Sequence, residues 1–213
     1  MFNQRTPFYF VGTIFLFATL ILSLWETFHI QKNGSDFFPQ GGYYQGKYIL
    51  DDSLVDKLCW YFSQLTYLST LFLFLYFLMS LLKIRSDTLF KIIAPPAITI
   101  SVLYFYFLYP KQPLKIYQLP FSNLFSHFMI IFLVIGELMY ISRYTLQETT
   151  YFVYFIPMYL FLVYINYLMR GVWSYDMIQL NSYDGWSMVF MGSILMYAVS
   201  LLLYLFKLHI VNK

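Results

Sequence analysis

The chain carries one cysteine, Cys59, in 213 residues. A single thiol excludes an intrachain disulfide and any Cys-x-x-Cys metal site. Histidine is almost as rare, with three residues. A metal centre needs about three converging ligands, so no metal is expected. A phosphate-binding glycine loop, an HExxH helix and a GxSxG elbow are all missing, which removes the common nucleotide, zinc-protease and serine-hydrolase signatures. Charge is the largest deficit: 11% of residues are charged, against about 25% in soluble domains. The net charge of +3 is small and scattered along the chain, which argues against a nucleic-acid partner.

What replaces charge is apolar residue in long unbroken runs, 60% of the chain. Runs of about 18 or more such residues read as membrane helices, because backbone polar groups in lipid must be satisfied within the segment. Six spans are expected, at about 8–30, 59–84, 89–109, 121–142, 151–169 and 186–206. The fold class is therefore an all-α membrane protein, one six-helix transmembrane domain over residues 1–213. The abundance of Phe and Tyr with little Ala fits an AT-rich coding sequence, and so a bacterial plasma membrane.

Lys and Arg placement sets orientation. Arg5, Lys83, Arg85, Lys91, Arg143, Lys207 and Lys213 fall on one side. Lys32, Lys47, Lys57, Lys111, Lys115 and Arg170 fall on the other, where Asp36, Asp51, Asp52 and Asp56 dilute them. The expected topology is N-in, C-in. The longest connection, about 31–57, reads either as a lid over a site or as a tether on the membrane surface. Pro95-Pro96 and Pro157 are expected to interrupt the third and fifth spans.

Ionisable residues inside such spans are costly and mark candidate sites. His127 is the foremost. At 1.5 Å rise per residue, Thr66 lies roughly 10–11 Å and His127 roughly 9 Å below the outer ends of their spans, so the two can meet at one level. A hydroxyl beside an imidazole is the minimum for nucleophilic acyl transfer. The plainer reading is that Thr66 bonds back to its own helix and that His127 bridges two helices. Arg170 ends the fifth span with Asn166 one turn below on the same face. They are candidates for holding a carboxylate or an oxyanion, or Arg170 simply reaches for headgroups. Ser69 and Thr70 follow Thr66 on the same helix. Glu137 is either a proton partner or a structural acceptor. Cys59 is an alternative nucleophile, though a lone cysteine is more often an inert small hydrophobe.

These residues carry a family likeness. Leu65-Thr66-Tyr67-Leu68-Ser69-Thr70-Leu71 resembles the threonine motif of the androgen-induced family of membrane lipid hydrolases. Asn123-Leu124-Phe125-Ser126-His127, with Glu137 ten residues on, resembles its histidine helix. Pro157, Tyr159, Tyr164, Arg170-Gly171-Val172-Trp173 and Tyr175 resemble its fifth span and the turn that follows. The likeness covers about residues 55–195. It departs at Thr70, where bacterial relatives often carry Asn, and at Tyr175-Asp176 in place of a Tyr-Pro turn. The fifth span also lacks the histidines of the animal proteins. The resemblance implies hydrolysis of fatty-acid esters of hydroxy fatty acids, with Thr66 as nucleophile, His127 as general base and no cofactor. The alternatives are a cysteine-dependent acyltransferase through Cys59, or a small transporter or lipid-binding protein using His127, Glu137 and Arg170.

Overall fold

The computed structural model describes residues 5–29, 50, 53–109, 121–175 and 178–211. The long connection lies outside the described residues as far as 49, as do Lys111, Lys115 and Lys213. Among the described residues there are helices and no strand. They are α1 Thr6–His29, α2 Leu54–Ser63, α3 Leu65–Leu81, α4 Asp87–Leu103, α5 Phe121–Tyr140, α6 Phe155–Arg170 and α7 Tyr183–Phe206. Serine side chains start three of them. Ser53 accepts from the Asp56 N–H, Ser86 from Leu89 and Ser182 from Gly185, each satisfying one of the amides a helix start leaves unbonded.

Among the described residues, five helical stretches are long and apolar enough to cross a membrane, α4 being counted on through Tyr106 and α6 from Gln147, and the α2–α3 pair makes a sixth if taken as one broken span. Burial sorts them. About the centre, α4 has 61% of its most apolar stretch buried, against 28% for α1 and 22% for α7. Thus α4 is the hub, and the outer helices turn Phe10, Phe17, Phe190 and Leu202 outward, as lipid-facing helices do. The core runs through Leu73, Phe77, Phe90, Ile93, Val134 and Leu138. At Gly12, α1 comes so close to α3 that a Cβ there would overlap the Phe77 ring, which is fully buried. Gly12→Ala should cost about 1–3 kcal/mol through overpacking. Thermal unfolding in detergent will show this as a drop of several degrees.

The breaks fall elsewhere than the prolines suggest. Pro95 and Pro96 sit inside an uninterrupted α4, both buried. Pro157 lies in the first turn of α6, after a 3-10 stretch Gln147–Tyr154, where a missing N–H does no harm. The sharp bend, 74°, comes between α2 and α3. Gln64 is extended there (φ −79°, ψ 124°), with its N–H closing on Tyr61 O and its carbonyl opening α3 through the Leu68 N–H. The helical segment that holds the expected second span begins at Leu54 and is bent, and the pair is one span only if the bend lies within it. Asp56 and Lys57, expected in a loop, are helical and buried, at 5% and 8% exposed. Lys57 Nζ donates to the carbonyl of Phe28 at 3.0 Å.

Candidate functional site

His127 lies in a widened turn. After Phe121–Leu124, the helix α5 passes through a π-helical turn, Phe125–Met129, in which the Ile130 N–H reaches back five residues to Phe125 O. The end of α4 does the same at Tyr104–Leu108, where the Tyr109 N–H reaches Tyr104 O. Such turns absorb an extra residue and re-aim side chains, and they recur at functional sites. Here they bring the His127 and Tyr104 rings face to face, with centroids 3.9 Å apart and planes within 5°. His127 is 7% exposed, and its Nδ1 is buried with no hydrogen-bond partner. Asn123 Oδ1, one turn earlier, is in the same condition.

Thr66 occupies the first turn of α3, just past the bend, and is half-buried. Its carbonyl accepts the hydroxyls of Ser69 (3.0 Å) and Thr70 (2.8 Å). Those two side chains are thereby folded back on the helix. The Thr66 hydroxyl itself makes no hydrogen bond among the described residues, unlike Thr13, Thr19 and Thr27, which bond back to their helix. No hydrogen bond joins Thr66 to His127 among the described residues. The equal-depth expectation assumed a straight second span, and the bend at Gln64 removes that basis, although α3 does pack against the π-turn of α5. The bend also leaves Gln64 Nε2 buried without a partner, and Tyr159, packed with Leu68 beside α3, has a buried hydroxyl in the same state.

Arg170 and Asn166 do share a face, and their groups are already engaged. Arg170 Nε donates to Asp56 Oδ1 at 2.6 Å and Nη1 to Asn166 Oδ1 at 3.2 Å. Asn166 Nδ2 donates to Ser174 Oγ and to Val172 O. This network pins the start of α2 to the end of α6. Asp56 was missed as a site residue although Ser53-x-x-Asp56 before an apolar run is a helix-start signature. Arg170→Met should cost about 3 kcal/mol, because it leaves Asp56 buried and unpaired. Adding Asp56→Asn should recover part of that loss, which a double-mutant cycle on thermal stability will measure. Cys59 Sγ lies 3.6 Å from Met169 Sδ in the same region.

Glu137 belongs to the other end of the bundle. Fully buried, its Oε1 accepts from Tyr9 (3.2 Å) and Tyr76 (2.5 Å) and lies 3.4 Å from Arg85 Nη2. Arg85 Nη2 also donates to Tyr140 O. Its Nε lies 3.0 Å from Asp87 Oδ1 without hydrogen-bond alignment, so that contact is ionic only. Burial opposes the Arg85 charge, but Tyr76, Tyr9, Glu137 and Asp87 outweigh it and hold the guanidinium above its ordinary pKa. Nearby, Lys91 Nζ pairs with Glu148 at 2.6 Å. Among the described residues, no group of three or more His, Cys, Asp or Glu side chains is arranged to hold a metal ion. Compared with known proteins, the chain matches no family model, no curated protein and no solved structure.

Proposed function

We propose that this protein is an integral membrane hydrolase of lipid esters, with Thr66 as nucleophile and His127 as general base, lying N-in and C-in across six spans in a bacterial plasma membrane. The observation that carries the reading is the Thr66 hydroxyl. It is not returned to the backbone, while the hydroxyls of Ser69 and Thr70 beside it are. The unpartnered His127 Nδ1 on a packed neighbouring helix and the resemblance of both motifs to the androgen-induced family add to it.

The chemistry follows from those groups. Thr66 Oγ1 adds to the ester carbonyl carbon while the imidazole takes its proton. The tetrahedral intermediate collapses, and the alcohol leaves with that proton. Water then attacks the acyl-threonine with the imidazole again as base, releasing the fatty acid and restoring Thr66. The first amides of a helix have no partner within it. At α3, the capping residue Gln64 offers no side-chain bond to replace one. Those N–H groups stand beside Thr66, where oxyanion charge develops. Substrate entry brings the two catalytic groups to within about 3 Å, a closure that such sites often complete only with ligand bound. The aromatic helices accept the acyl chain from the side, from the bilayer.

Incubating the detergent-purified protein with a lipid-like fluorophosphonate and mapping the adduct by mass spectrometry tests the proposal. An adduct on Thr66 is expected. An adduct on Cys59 would replace the reading with cysteine-dependent acyl transfer. A folded protein that takes no adduct would point to transport or lipid binding.

A further inference from the structure

The three histidines of the chain differ in how they use Nδ1. His29 places it 2.7 Å from the carbonyl of Trp25 and His209 places it 3.0 Å from the carbonyl of Leu205, in each case four residues back along the helix. His127 does not follow them. The carbonyl four residues back belongs to Asn123, and it accepts the Ser126 hydroxyl at 3.2 Å. Nδ1 of His127 is left sealed from solvent, with no hydrogen bond among the described residues. The side chain of Asn123 is in the matching state, its Oδ1 sealed and unbonded. The Tyr104 ring lies parallel over the imidazole, 3.9 Å from it. It covers a face and supplies nothing in the ring plane, where a near-linear N–H hydrogen bond needs its acceptor.

Buried polar atoms are nearly always paired, and an unpaired one calls for a reason. These two are complementary. A neutral imidazole carries N–H on one nitrogen and a lone pair on the other, and an amide oxygen accepts. Residues four apart on a helix have Cβ atoms about 5–6 Å apart, so a rotation of the Asn123 side chain joins them. We propose that Asn123 is the positioning residue of His127: its Oδ1 accepts the Nδ1–H, which fixes the tautomer and leaves the Nε2 lone pair free. The hydrogen bond made by one ring nitrogen sets the state of the other. Nε2 is not among the sealed, unpartnered atoms, and it is the nitrogen that takes the Thr66 proton. That last step rests on the Thr66–His127 reading, whereas the tautomer does not. During acylation Nε2 gains the proton, Nδ1–H stays with Asn123, and Nε2–H then gives the proton to the departing alcohol. In the other tautomer the ring would meet Thr66 with a donor and no base.

Nitrogen-15 labelling of the histidines in the full chain, in detergent micelles, tests this without relying on activity. The His127→Gln variant identifies the His127 signal, and long-range proton–nitrogen correlation shows which nitrogen of the neutral ring carries the proton. Wild type should be protonated on Nδ1. Asn123→Leu removes the acceptor and should move most of the population to Nε2–H. Asn123→Asp keeps an acceptor oxygen, cannot donate, and should restore Nδ1–H. In turnover of a fluorogenic acyl ester, Asn123→Leu should lower kcat by about a hundredfold while changing KM less than about threefold, and Asn123→Asp should recover most of the loss. A wild-type His127 protonated on Nε2, or the same tautomer in wild type and Asn123→Leu, would overturn the proposal. A wild type that holds Nδ1–H through Asn123 yet hydrolyses no ester would keep the role of Asn123 toward His127 and end the threonine reading.

Discussion

Thr66→Ala and His127→Ala should each lower the rate of fatty-acid ester hydrolysis by at least about a thousandfold, with Cys59→Ser close to wild type. Loss of a nucleophile removes the covalent route altogether, and loss of a general base alone typically costs 10²–10⁴. Because the two side chains act as one unit, the double variant should be about as slow as either single one. Single-turnover assays on a fluorogenic acyl ester in mixed micelles will separate this from weakened binding. Hydrolysis that survives Thr66→Ala would end the threonine mechanism. Ser69→Ala and Thr70→Ala serve as comparison variants: their hydroxyls are held by the Thr66 carbonyl, so their removal should shift rates far less.

Replacing Glu137 by Ala should be the most damaging substitution for stability, by about 4–5 kcal/mol, the upper part of the range for breaking a buried ion pair. The reason lies in what is stranded. Tyr9, Tyr76 and Arg85 all converge on Oε1, and removing the carboxylate leaves two buried hydroxyls and a guanidinium short of their acceptor. A drop of roughly 10 °C or more in the unfolding midpoint in detergent is expected. Tyr9→Phe is the calibrating variant. A single interhelical hydrogen bond in a membrane protein averages only about 0.6 kcal/mol, so its effect should be slight. Glu137→Gln keeps an acceptor oxygen and should fall between the two. A Glu137→Ala protein as stable as Tyr9→Phe would show that the Arg85 charge finds water instead.

Much of the helical layout was legible because lipid leaves the backbone so few options. A run such as Tyr183–His209 has no other way to satisfy its amides. Legibility failed where tertiary packing decides. Nothing in Ser63-Gln64-Leu65 marks a bend, since neither proline nor glycine is present, and the two proline positions that drew attention are accommodated in helix. The start of α2 was lost behind Asp56 and Lys57, whose charge reads as loop until Arg170 and the Phe28 carbonyl are seen to receive it. The level of a side chain is hidden for the same reason, because a rise per residue converts to depth only along a straight axis. The π-turns have no one-dimensional signature at all: an inserted residue is visible only once Tyr104 and His127 face each other. Glu137 is the counter-example. Its isolation in an apolar run marks it as a proton partner or a structural acceptor, and the sequence does not say which tyrosines meet it.

The bend at Gln64 also bears on how the chain enters the bilayer. α2 has 10 residues and α3 has 17, which rise about 15 Å and about 25 Å, each short of a hydrocarbon core about 30 Å thick. Neither half reaches across on its own, so the pair depends on packing against its neighbours, with α1 lying along α3 and α6 along α2. Because α6 emerges from the ribosome after α3, assembly of this segment waits on a later part of the chain, and the region around Thr66 takes shape among the last events of biogenesis.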